Sequence, residues 1–333
     1  MLSSKFPVVL YHYDASPFST KVKNILALKR IAHKRVDVPM TLPRPDLSRL
    51  GVTYRRIPVL AIGNDIYCDS SLIASALERR FPSSKGYGTI FPPRKGGATD
   101  TGLIKAFAMY YADRVLFPLA AQNLPYKKFT PEFVQDRSAW LGTPIDNDKM
   151  AARQPEVKSS ISSHMGLLEE QLADGREWLM DTELPSLADV SVQFVYAWLQ
   201  QFRSVKEVFD PAKFPQTIRW ISQLSEYLDT PQANAAYEKI TGEEAAVLIS
   251  SSQSEDHCIV GFDDIEAGRL GVELHDYVAV TPTDNGKVPT EGRLVALNRE
   301  EVVIQTKSLT GKVIHCHFPR LNFSVKAGGV AKL

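Results

Sequence analysis

The residues best placed to do chemistry are Ser16 and Ser19, in the stretch Ala15-Ser16-Pro17-Phe18-Ser19-Thr20-Lys21-Val22-Lys23. They stand where a redox protein carries Cys-x-x-Cys. With oxygen in place of sulfur the pair cannot shuttle a disulfide, but it can hold a thiolate supplied by another molecule. The apolar run Pro7-Val8-Val9-Leu10-Tyr11 ahead of it reads as a strand, and Ile25-Leu26-Ala27-Leu28 behind it reads as a helix. A strand, tight turn and helix put both hydroxyls at a helix start. There the free backbone N–H groups and the positive end of the dipole favour an anion. Ser16 is the first choice to donate to a thiolate, because hydrogen bonding to the charged form lowers a thiol's pKa. Ser19, one turn later, is the main rival, and the phenols of Tyr11 and Tyr13 at the strand end are further alternatives.

Other groups invite chemistry less strongly. Asp69-Ser70-Ser71 caps a helix that carries Leu72, Ile73, Ala76 and Leu77. His315-Cys316-His317, with Cys258, His257 and His275, raises the question of zinc. In a strand His315 and His317 share a face while Cys316 points the other way. No Cys-x-x-Cys spacing accompanies them, so no metal is expected.

The elements that position these groups fall into three stretches. Residues 6 to 82 alternate strand and helix, with a strand at Ile57-Pro58-Val59-Leu60-Ala61-Ile62 and a hairpin turn at Gly63-Asn64-Asp65. Residues 82–100, dense in proline and glycine, read as a linker. Residues 103–248 show helical spacing nearly throughout, and Ser186-x-x-Asp189 is a capping-box variant. Ser250 to Asp256 reads as a polar hinge, and beyond it the period switches to two, as in a small β-barrel or sandwich. The expected layout is a thioredoxin-like α/β domain over 1–88, an all-α domain over 98–249 and a small all-β domain over 255–333.

The formal charge of +1 over 333 residues argues against nucleic acid or an anionic membrane as a partner. No apolar run is long enough to cross a bilayer, and no leader is evident. Three scattered cysteines suit a reducing, cytoplasmic setting better than a disulfide framework.

The first two stretches resemble the cytosolic glutathione transferases, and the serine motif is most similar to the tau and omega classes. The resemblance rests on Ala15-Ser16-Pro17-Phe18-Ser19, on Arg56-Ile57-Pro58-Val59-Leu60, on Asp69-Ser70-Ser71-Leu72-Ile73 and on Ser186-Leu187-Ala188-Asp189, in that order. The tail beyond Ser254 departs from the ordinary pattern and is similar to extensions of fungal members.

The resemblance implies glutathione as the thiol carrier and a cis peptide at Pro58. Ser16 then stabilises the thiolate, aided by the helix start at Phe18. The backbone of Ile57 pairs with the tripeptide like an added strand. Asp69 accepts from its α-ammonium and Ser70 binds the adjacent carboxylate. Arg44, Arg55 and Arg56 are the candidate cations for the glycyl carboxylate. A small hydrophobic electrophile is expected over the interdomain cleft, near Tyr110, Tyr111 and Arg114, which share helical spacing with Phe107 and Phe117. The implied activities are thiolate transfer or, on the same site, cis-trans isomerisation of a conjugated substrate. Disulfide reduction is expected to be negligible without a cysteine at position 16. A non-catalytic glutathione-binding scaffold is the third alternative, and the family implies a homodimer.

Overall fold

The computed structural model describes residues 6–328. Strand β1 (Val8–His12) is buried along its length and pairs in parallel with β2 (His33–Asp37). The crossover is α1 (Pro17–Leu28), which Ser16 caps and Pro17 opens, with Val22, Ile25 and Leu26 on its buried stripe. β3 (Val59–Ile62) runs antiparallel to β1 and turns into β4 (Asp65–Cys68). Gly63 makes that turn at φ +65°, where a Cβ would lie 2.4 Å from the Gln253 carbonyl oxygen. α2 (Ser70–Arg80) follows at once.

The helical unit begins with α3 (residues 101–121), whose middle section Phe107–Leu116 winds in wide π-type turns. α4 (Pro131–Leu141) buries none of its residues, so the sequence carries no apolar period there. α5 (Gln154–Leu172), α6 (Leu187–Leu199) and α7 (Pro215–Leu228) complete the bundle. α6 is buried on nearly every side. Its start is fixed by Asp189, which accepts from the N–H of Leu179 and Ser186, the Ser186 hydroxyl and the Trp220 indole at 2.7–3.0 Å.

The expectation of helix up to residue 248 fails at β5 (Tyr237–Lys239), which pairs with β2 at the sheet edge. Three exposed residues carry no hydrophobic signal, so only the sheet edge reveals this strand. α8 (Gly242–Ser250) then lies against the sheet through Ala245 and Ile249.

After α9 (Asp264–Leu270) the chain forms β6 (Tyr277–Pro282), β7 (Thr290–Leu297), β8 (Glu301–Lys307), β9 (Val313–Pro319) and β10 (Phe323–Ala327). The strand-rich tail is as expected, but it is not an independent barrel or sandwich. β9 pairs in parallel with β4, matching Asp65 to His315 and Tyr67 to His317. One ten-stranded sheet results, in the order β10-β6-β7-β8-β9-β4-β3-β1-β2-β5. A free strand edge offers unpaired N–H and C=O groups, and β9 satisfies those of β4.

The polar hinge is likewise built into the structure. Glu255 is buried, its N–H donates to Asp65 Oδ2 at 2.6 Å, and the Gln253 carbonyl accepts from Asn64 N–H. Side chains alternate across the sheet and feed two cores. Val8 and Leu10 join α1, α2 and the helical bundle, while Val9 and Tyr11 join α8 and the inner face of β6 to β10.

Candidate active site

Ser16 caps α1 with extended backbone angles, and its Oγ accepts the Ser19 N–H at 3.2 Å. That bond uses a lone pair and leaves the hydroxyl proton available to donate. Ser19 points inward and is fully buried, and its Oγ has no hydrogen-bond partner among the described residues. Tyr11 is also fully buried, in the second core, and burial pushes its phenol well above the ordinary range. The Tyr13 hydroxyl accepts from Arg137 at 3.3 Å. The Phe18 ring turns away from the helix start to meet Phe117 at 4.6 Å and Phe194 at 5.4 Å between centroids. Its side chain joins the two units, so a ligand role falls to its backbone.

The second half of the site is the start of α2. Asp69 sits at φ +76°, and its carboxylate accepts the N–H and hydroxyl of Ser71 at 2.9 and 2.7 Å. With ψ 134° it lies outside the left-handed helical well, a sparsely populated conformation for any residue but glycine. Ser70 is buried and lines a cavity of about 340 Å³ together with Lys21 and Tyr110. A larger hollow of about 490 Å³ around Arg94, Gly96 and Arg176 shares none of these residues. The Ile57–Pro58 peptide is cis. Ile57 lies just outside the β1–β3 ladder, which begins at Val59.

All three candidate arginines are engaged by protein groups. Arg44 is buried and donates to the carbonyls of Pro39, Met40 and Arg55. Arg55 is paired with Asp136 of α4 at 2.9 Å. Arg56 is held likewise, its Nη2 donating to Asp284 Oδ1 and to the Asn285 carbonyl.

Lys21 and Asp113 complete a charged cluster that sequence reading did not single out. The Lys21 ammonium is 1% exposed and lies 2.7 Å from the Asp113 carboxylate. Burial pushes the Asp113 carboxyl up to about 6, against the pull of Lys21, and the negative charge of Asp69 adds to the rise. Asp69 in turn favours the charged form of Arg56. Arg114 Nη2 lies 3.7 Å from Asp284 Oδ2. Lys21, Arg56 and Arg114 therefore share one region with Asp69, Asp113 and Asp284. The available signal was Asp113 itself, a lone carboxylate among the aromatic residues of α3.

Of the residues expected at the electrophile side, Tyr110 is 44% exposed and lines the cavity, and Arg114 reaches Asp284. Tyr111 does not join them. It stacks on Phe107 at 4.7 Å, meets His164 at 3.3 Å and packs against the bundle core, where burial raises its phenol to about 12. The wide turns of α3 shift which positions share a face, so a 3.6-residue period misplaces Tyr111.

The two histidines of β9 are taken up by protein groups. His315 sits between Asn64 and Gln305 at 3.1 and 3.2 Å. His317 lies between Asp65 and Glu301 at 3.2 and 3.3 Å. Cys68 and Cys316 are buried and Cys258 is exposed, all three unpaired. Burial pushes the Cys68 thiol well above its ordinary range.

This frame matches known proteins. Residues 10–85 match the glutathione S-transferase N-terminal domain. Residues 116–233 match a domain of unknown function, DUF7962. No curated protein matches. Among solved structures, a GST-like protein from Pseudomonas syringae is 26% identical, over 97% of this chain and 99% of its own, with a TM-score of 0.72. The match covers the tail, so the extension is shared with a bacterial protein. Rice GST1, solved in complex with glutathione, is 19% identical over 74% of this chain and 96% of its own, with a TM-score of 0.49. The Phanerochaete chrysosporium transferase URE2P8, solved with oxidised glutathione, is 17% identical over 76% of this chain and all of its own, with a TM-score of 0.49. Among the described residues no helix is long and apolar enough to cross a membrane.

Proposed function

We propose that this protein is a glutathione-dependent transferase that ionises the bound tripeptide's thiol and directs it at a small hydrophobic electrophile. The observation that carries the reading is the Ser16 hydroxyl. It caps α1 by accepting, keeps its proton to donate, and lies in the segment that matches the transferase N-terminal domain. A thiolate at that helix start gains the hydroxyl bond and the favourable end of the dipole together. The thiol proton passes to solvent, the sulfur attacks an electrophilic carbon with its own electron pair, a C–S bond forms, and the leaving group departs with the bonding electrons.

The cis bond before Pro58, the Asp69–Ser70 helix start and Arg56 are the groups we assign to the tripeptide backbone and its carboxylates. Tyr110 and Arg114 are those we assign to the electrophile. No cysteine stands at the helix start, and Cys68 is buried with a raised thiol pKa, so the site offers no protein thiol for disulfide exchange. We expect a cytoplasmic protein. A homodimer, the family expectation, has to use a surface other than the β4 edge, which β9 occupies.

Calorimetric titration with reduced glutathione tests the binding half of this reading. Activity on aryl halides and conjugated enones, with glutathione mass balance, tests the other half. Consumption of glutathione means conjugation, and turnover without consumption means isomerisation. Heatless titration at millimolar glutathione overturns the reading. Binding without turnover on either substrate class leaves a scaffold.

A further inference from the structure

The two arginines assigned to ligands, Arg56 and Arg114, are both held by one carboxylate from the far end of the chain. Asp284 lies on the loop between β6 and β7, residues 283–289. One of its oxygens accepts from Arg56 Nη2, and the other lies 3.7 Å from Arg114 Nη2. The neighbouring Asn285 carbonyl accepts from Arg56 at 2.7 Å.

The loop is fixed in this position from both sides. The Gly286 N–H donates to the Trp140 carbonyl at 3.1 Å, and the Thr283 N–H donates to Asn322 at 3.0 Å. Gly286 has φ +62°, and a Cβ there would lie 2.6 Å from Trp140 Cδ1 and 3.1 Å from Arg55 Cδ. Only glycine allows so close an approach. Burial works against the Asp284 charge, but the hydrogen bond and charge of Arg56 hold its carboxyl below the usual range, so it is ionised.

Arg56 nevertheless keeps a donor in reserve. Its Nε is buried and has no hydrogen-bond partner among the described residues. A buried N–H without an acceptor is costly, and a guanidinium can hold a carboxylate on two parallel bonds. Arg56 is therefore one acceptor short among the described residues.

We propose that Asp284 is a built-in competitor for the ligand carboxylate: it occupies Arg56 as that carboxylate does, and an incoming anion must displace it. This rests on the reading that Arg56 belongs to the ligand cleft. It adds that the C-terminal extension sets how tightly an anionic ligand is held there. The charge of Asp284, rather than its shape, is the active property.

The test is an equilibrium titration of wild type and Asp284→Asn with reduced glutathione, with its glycine monoethyl ester, and with inorganic sulfate. The asparagine variant is expected to bind glutathione about two- to fivefold more tightly, the range of a partly exposed ion pair. Sulfate tightens by a similar factor, the ester does not, and adding Arg56→Gln cancels the gain. Asp284→Glu, which keeps the charge, stays near wild type, and Asp284→Ser serves if the asparagine variant does not fold.

Equal or weaker binding of both anions by the charge-removed variant overturns the proposal and leaves Asp284 as a loop anchor. A gain of equal size for the ester also overturns it, since the ester lacks the competing carboxylate. If glutathione binds neither protein while sulfate tightens as described, the competitor stands and the glutathione reading falls.

Discussion

Ser16 and Ser19 look equivalent in the sequence, but the fold gives them different states. Both are buried, but Ser16 receives a backbone N–H and can still donate, whereas the Ser19 hydroxyl is idle among the described residues. Replacing Ser16 by Ala is therefore expected to lower kcat by about 10²–10³, the usual cost of losing one donor to a developing anion. The affinity for glutathione should change little, because most contacts are elsewhere. Steady-state kinetics beside calorimetry separates the two quantities. Unchanged kcat moves the thiolate donor away from Ser16. Ser19→Ala serves as the contrast and is expected to keep kcat, because its hydroxyl faces the core.

The β4–β9 junction is the element on which the extension depends. Two histidines on one strand are shifted in opposite directions by their surroundings. His315 has amide partners and a pKa lowered to about 4, chiefly by burial, so it is neutral. His317 is pushed above its ordinary value: burial opposes the proton, but hydrogen bonds to Asp65 and Glu301 on both ring nitrogens prevail. Its protonated form is favoured, and with Arg79 and Arg80 it faces Asp65, Glu255 and Glu301.

The network has a definite pH signature. A raised folded pKa means that the stability contributed by His317 is present below about 6.5 and is lost as pH rises through its folded value. Lowered values mean the reverse for the others. His12, His33 and His315 lose stability as pH falls from about 6.5 towards about 4, because the unfolded chain takes up protons first. Asp65 and Glu301 lose theirs below the ordinary carboxylate range. With His164 and His257, also lowered by burial, five histidines outweigh the opposite effect of the raised Asp113 carboxyl and predict a melting temperature that falls between about pH 6.5 and 4.5. A flat profile there contradicts these assignments. Replacing Glu301 by Gln leaves His317 with one of its two carboxylates and is expected to cost about 3 kcal/mol in urea unfolding, as broken buried pairs do.

At the scale of the whole molecule, the extension is part of the fold rather than an appendage. Removing residues 255–333 exposes the backbone edge of β4 and strips Val278, Leu294, Ile304, Phe318 and their neighbours from the second core. It also leaves Asp65 and Arg80 without Glu255 and His317. The truncated chain is therefore expected to be insoluble or unfolded, as judged by size-exclusion chromatography and circular dichroism. A soluble, folded fragment that binds glutathione like the full chain would show that the first two units stand alone. If the competitor role of Asp284 holds, the extension has a second effect, because the structure that seals the sheet also places a carboxylate on Arg56.

Local chemistry alone determined much of this protein. The turn from strand to helix at Ser16, the caps at Asp69 and Ser186, the hairpin at Gly63 and the alternating strands of the tail all follow from neighbouring residues. Side-chain capping, glycine's freedom and apolar period act within a few positions. The tertiary structure decided what depends on distant partners. β5 exists because β2 offers an edge, and the tail joins the first sheet because β4 offers another. Tyr111 leaves the site because wide helical turns rotate it into the bundle. Arg44 and Arg55 are spent on carbonyls and on Asp136, while Arg56 meets Asp284 from 228 positions away. Edge pairing and charge pairing between remote segments are set by the topology that brings those segments together, and no local pattern records which partner that topology will supply.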